Sequence, residues 1–139
     1  MHKAKTTLTC IAIAFLVTAC ASAFQRPEPT ADYGSPPQGY EETIKAHFEQ
    51  VLKDPESARY RFGYPVKAYA NEGFPYGGKV SWVGYLVNVQ VNAKNSFGGY
   101  TGSKPYMVFF SGDRIVHVYE GREGVRCGRW GNVIVQRME

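Results

Sequence analysis

VSWVGYLVNVQV, residues 80–91, is the stretch that decides the fold. From Val83 to Val91 every second residue is apolar, so Val83, Tyr85, Val87, Val89 and Val91 line one side of an extended strand. The other side begins with Trp82 and Leu86 and passes to Asn88, Gln90 and Asn92. Such a strand is buried along one face and becomes wet toward the end of the other. Working outward, the same period of two places strands at 65–70, with Val66, Ala68 and Ala70 on one face, and at 106–110, 114–119 and 132–136. Ser111-Gly112-Asp113 is a tight-turn signal joining two of them.

Upstream the period changes. Ile44, Phe48, Val51 and Leu52 recur at helical spacing between Glu41 and Lys53. Glu41 and Glu42 suit the positive end of a helix dipole and Lys53 its negative end. Asp54-Pro55 stops the helix, because the residue before proline is pushed out of the α region. Asp54 also has the chemistry to cap a short second helix running to about Tyr60. The expected fold is α+β, an N-terminal amphipathic helix packed on an antiparallel β-meander of four or five strands.

The chain has 139 residues, enough for one ordinary domain. It is 44% hydrophobic and 14% aromatic with ten Tyr and eight Phe, a composition that favours strands and a packed core. Residues 1–19 are set apart from that domain. A basic start at His2, Lys3 and Lys5, an apolar run from Leu8 to Val17, and the small pair Thr18-Ala19 have the layout of a secretory signal. The apolar run is about half of the roughly 20 residues a membrane-spanning helix needs.

Leu16-Val17-Thr18-Ala19-Cys20 resembles the lipobox of bacterial lipoprotein precursors. The resemblance implies cleavage between Ala19 and Cys20 and attachment of diacylglycerol to the Cys20 sulfur. Two or three acyl chains hold a folded domain stably at a bilayer, where one alone does not. Ala21 and Ser22 follow in place of the aspartate that retains enteric lipoproteins at the inner membrane, which points to the outer membrane, with the domain facing the periplasm. Residues 20–39, Pro-rich and without hydrophobic periodicity, read as a flexible tether of about 60 Å at full polyproline extension. The globular domain then covers 40–139.

Cysteine use agrees with export. Cys10 leaves with the signal and Cys20 is taken by lipid, so the mature chain keeps Cys127 alone and has no internal disulfide. Cys127 reads as a small buried hydrophobe, the other reading being a thiol free for an intermolecular bridge. Loss of Lys3 and Lys5 takes the net charge from +4 to +2. A nearly balanced domain is not a nucleic-acid binder.

NAKNSFGGYTG, residues 92–102, links two strands. Its glycines permit positive φ, and Asn92 and Asn95 suit turns in which the side chain bonds nearby backbone. The spacing and order of Gly98, Gly99, Gly102 and Lys104 do not match a phosphate-binding loop, and no helix follows, so nucleotide binding is not expected. A plain connection explains the composition. The other reading is a partner-contact loop, in which Lys94, Asn95, Phe97 and Tyr100 offer a cation, an amide and two rings. In the tail, Arg122, Arg126, Arg129 and Trp130 cluster among glycines, either as a solvated loop or as a second contact patch of the residue types favoured at binding hot spots.

No His, Cys or carboxylate spacing of a metal site is present, and no cofactor is expected. His47 and His117 have no local signature linking them to Cys127, so a binding or scaffolding role is preferred over an enzyme. A small periplasmic hydrolase using Cys127 is the alternative. LKDPESARYRF, 52–62, and VNAKNSFGGYTG, 91–102, together with the lipobox, resemble a group of small uncharacterised bacterial envelope lipoproteins. That resemblance implies an envelope location and brings no activity. The helix-then-meander layout is similar to that of small lipoproteins that assist barrel insertion in the outer membrane, at the level of fold alone.

Overall fold

A computed structural model describes residues 25–72, 77–121, 127–130 and 133–138, with side chains omitted beyond Gly121 except for Met138. One helix, α1 (Tyr40–Val51), precedes seven strands: β1 (Asp54–Phe62), β2 (Val66–Glu72), β3 (Val80–Lys94), β4 (Lys104–Ser111), β5 (Arg114–Glu120), β6 (Cys127–Trp130) and β7 (Val133–Arg137). They form one antiparallel sheet in the order β5-β4-β3-β2-β7-β6, with β1 also paired to β3. The class is α+β, as the periodicity implies.

The organising element is β3, about 45 Å long at 3.3 Å per residue. One edge pairs with β4 from Tyr85 to Val91. The other edge is shared: β2 takes the first half, Val66 opposite Leu86, and β1 takes the second, Phe62 opposite Val89. The chain crosses from β1 to β2 at residues 63–65, where Gly63 N–H donates to the Asn88 carbonyl at 2.7 Å. The end of β3 at Val80 is its proximal end, and the end at Lys94 its distal end.

The stripe read from the sequence is the core. Tyr85, Val87, Val89 and Val91 are buried together with Val108 and Phe110 of β4, under Ile44 and Phe48 of α1. Phe48 meets Tyr106 edge-on at 4.9 Å, and Tyr60 stacks on Phe62 at 5.5 Å on the same face. The opposite face is apolar only in its proximal half, where Leu86, Ala68, Ala70, Met107 and Phe109 are buried and Trp82 packs against them. The Trp82 ring lies over Gly84, filling the space a side chain would need.

Several expectations are corrected. The helix ends at Val51 with Leu52 already extended, so Lys53 is outside its last turn. It begins 39 residues into the chain and is therefore not the amino-terminal segment. Residues 54–60 are the start of β1 rather than a second helix. The local signal was physically real: Asp54 Oδ1 accepts from Ser57 N at 3.2 Å, the bond a helix cap would make. Pairing with β3 overrides it, since only an extended chain puts Tyr60 and Phe62 under α1 while satisfying its backbone. The ladder is irregular between Asp54 and Arg59, which accommodates Pro55. The strand count rises from four or five to seven because β1 and β6 were read as helix and loop. Residues 95–99 close a hairpin, so β3 to β5 do form a meander, but β1, β6 and β7 extend it.

From Gln25 onward the segment expected to be a tether lies against the domain. Gln25 N–H donates to the Gly78 carbonyl at 2.9 Å, and Asn71 Nδ2 donates to the Gln25 carbonyl at 2.7 Å. Tyr33 packs on the core beneath the Lys67 ammonium, Pro37 is buried, and Gln38 N–H donates to Asp113 Oδ1 at 2.7 Å. Proline-rich composition lowers the entropy lost on ordering such a strap, and sequence periodicity cannot register contacts this irregular. The signal, the lipobox and Cys20 lie outside the described residues.

Candidate functional site

The distal end gathers most of the unabsorbed chemistry. After Lys94 the chain turns through Asn95, whose Oδ1 accepts from Phe97 N at 2.9 Å and Gly99 N at 3.2 Å. Asn95 N–H donates to the Gly99 carbonyl at 2.8 Å, and Gly98 takes φ 79, which a side chain would resist. This is an ordered turn built on Asn95, as the sequence suggests. Asn92 instead belongs to β3, and its buried Oδ1 has no hydrogen-bond partner among the described residues.

The turn returns Tyr100 to pair with Lys94. The Tyr100 hydroxyl donates to the Ser57 carbonyl at 3.2 Å, and Ser57 Oγ accepts from Lys94 N at 2.9 Å, tying loop, β1 and β3 together. The Arg59 guanidinium sits 4.9 Å from the Tyr100 ring centre and the Lys94 ammonium 5.6 Å from it. Phe97 projects from the turn, 96% exposed. An aromatic so placed contributes nothing to packing of its own domain.

Register sets what surrounds this cluster. Arg59 stands opposite Asn92 and Arg61 opposite Gln90, so these four side chains share the outer face of the sheet with Asn88. Both arginines are exposed and the three amides half-buried. Gln90 Oε1 accepts from Ser103 Oγ at 3.3 Å. At the margin Asp54 stands opposite Lys94, and its carboxylate is turned to Ser57 N–H. On the other side of the sheet, the end of α1 leaves a cleft of about 160 Å³ lined by Val51, Leu52, Lys53, Val91, Thr101 and Tyr106 among others. Lys104 at its rim pairs with Glu120 at 3.5 Å. Burial first, then the charge of Glu120 and its hydrogen bond, holds the Tyr106 phenol above its ordinary pKa.

The expected contact residues fall into two groups. Lys94, Asn95, Phe97 and Tyr100 are together at the distal end. Arg129 and Trp130 are on β6, where Trp130 pairs with Val133 and Val133 with Glu72, which places them at the proximal end two strands beyond β2. They form no single patch with the loop. Arg126 and Arg122 lie outside the described residues. Arg59 and Arg61 were missed by sequence reasoning because 54–60 was read as helix; the alternation Arg59, Tyr60, Arg61, Phe62 was the signal that could have found them.

Cys127 is on β6 and His117 on β5, the two ends of the strand order. His117 neighbours Phe109 and Tyr119 on the outer face, and desolvation lowers its pKa. It does not share a face with Ile115, which packs on the core, because a bulge falls between them. Among the described residues no group of three His, Cys, Asp or Glu stands ready to hold a metal ion. No helix among them is long and apolar enough to cross a membrane. No protein-family model matches the chain, and neither a curated protein nor a solved structure matches it.

Proposed function

We propose that this protein is a lipid-anchored binding or scaffolding module of the bacterial envelope, joined to the outer membrane through Cys20 and facing the periplasm. The observation that carries the reading is the distal cluster, in which an ordered turn presents exposed Phe97 beside the Arg59–Tyr100–Lys94 stack. Rigid aromatic and arginine side chains on a fixed loop are the usual anchors of a binding surface. The strap supports the same reading. Four residues lie between Cys20 and Gln25, at most about 17 Å of chain over the five steps. Gln25 is fixed beside Gly78 at the proximal end, so the distal cluster is the end of the sheet farthest from the attachment point. The partner is then an envelope protein or cell-wall component rather than the anchoring bilayer.

Two measurements test this. Intact-mass analysis of the mature chain is expected to give a start at Cys20 with a thioether-linked diacylglycerol; a free thiol there, or another start, removes the anchor. In cells lacking the native copy, Phe97→Ala with Tyr100→Ala is expected to abolish the phenotype that the wild-type copy restores, while Cys127→Ser preserves it. Loss of function in a folded Cys127→Ser protein defeats the proposal.

A further inference from the structure

We infer that the distal half of the outer sheet face is a binding site for a carboxylate-bearing glycan, an assignment that rests on the binding-module reading and names its partner. Asn88, Gln90 and Asn92 recur every second residue on β3, about 7 Å apart along the strand. Arg59 and Arg61 on β1 stand opposite two of them. The result is a flat row of carboxamides bordered by guanidinium groups, with Lys94 and Tyr100 closing its distal end.

Three properties of the row select the ligand. The guanidinium groups call for an oxyanion, and a carboxylate meets them through paired hydrogen bonds. Asp54, opposite Lys94, is held by Ser57 N–H, and Arg59 and Arg61 stand opposite amides rather than carboxylates. Carboxamides both donate and accept, which matches hydroxyl groups. The carboxylates of an acidic polypeptide only accept, so it meets the amide oxygens through backbone N–H groups alone, whereas the hydroxyl groups of a glycan can meet both halves of each carboxamide. Packing of Arg59 on the Tyr100 ring orders that guanidinium before the ligand arrives.

The test is native affinity electrophoresis of the full lipidated chain in nonionic detergent, through gels cast with polygalacturonate, with dextran or with poly-L-glutamate. Polygalacturonate is expected to retard the protein, with apparent Kd at least tenfold lower than for either other polymer. Arg59→Gln with Arg61→Gln is expected to raise that Kd about tenfold or more, and Asn88→Ala with Asn92→Ala to raise it severalfold. Because both arginines are exposed, their double variant is expected to unfold at the wild-type urea midpoint, which separates lost binding from lost folding. Retardation by poly-L-glutamate equal to that by polygalacturonate assigns the face to acidic polypeptides and overturns the inference. No retardation by polygalacturonate, or retardation unchanged by the arginine substitutions, also overturns it. If the glycan arm fails while Phe97→Ala with Tyr100→Ala still abolishes the cellular phenotype, only the glycan assignment falls; if both fail, the binding-module reading falls with it.

Discussion

Asn71 is the point where the strap is fastened, and its loss has a calculable effect. The side chain is 0% exposed, and its Nδ2 donates to the carbonyls of Gln25 at 2.7 Å and Gly78 at 3.0 Å. Asn71→Ala removes both bonds. The Gly78 carbonyl keeps the Gln25 N–H, and the carbonyl of exposed Gln25 is left to water. At about 1 kcal/mol per net hydrogen bond, and with the small cavity left by the deleted amide, the cost is about 2–3 kcal/mol. For a domain of this size that lowers Tm by about 10–20 °C. Asn71→Asp is expected to cost more, since it sets a carboxylate against two carbonyl oxygens. Urea unfolding at 25 °C followed by tryptophan fluorescence measures both, and hydrogen exchange at the Gln25 amide shows whether the strap lifts. An Asn71→Asp protein within about 0.5 kcal/mol of wild type, with the Gln25 amide still protected, refutes the reasoning.

Other substitutions separate core from surface. Phe48→Ala, in a residue 2% exposed and packed on Tyr106 and Tyr60, is expected to cost about 3–5 kcal/mol in urea unfolding, a large part of a domain's stability. Gly84→Ala puts a methyl group against the Phe110 carbonyl and 2.5 Å from Trp82 Cζ2, and is expected to cost about 1–3 kcal/mol with a shifted Trp82 emission maximum. Phe97→Ala is expected to change stability by less than about 0.5 kcal/mol, because the side chain is 96% exposed. Desolvation lowers the pKa of His117 in the fold, so the unfolded chain binds the proton more readily. Stability is therefore fully present above the ordinary histidine pKa and declines as pH falls through the lower folded value; His117→Gln is expected to flatten that decline in urea midpoints measured across the window.

The sequence carried the fold where side chains alternate without interruption. Val83 to Val91 announced a strand with one dry face, and the change from Leu86 to Asn88 announced where the other face turns polar. It misled at 54–60, where the Asp54–Ser57 bond is common to a helix cap and to this irregular strand start. Which occurs depends on β3, far away in the chain, offering a free edge beside residues 89–94. The loop chemistry was legible, since Asn95 and the glycines act locally. The arginine and amide row was not, because it exists only once β1 is laid in register against β3. The strap from Gln25 was hidden for the same reason, being fastened by Asn71 and Asp113 from distant elements.

The anchored domain is proposed to present its distal sheet end to something other than its own bilayer. A photoreactive residue at position 100, activated in living cells, tests it most directly. Capture of a protein or cell-wall species, lost when Arg59 and Arg61 are both changed to Gln, is the predicted result. Capture of phospholipid at that position contradicts it.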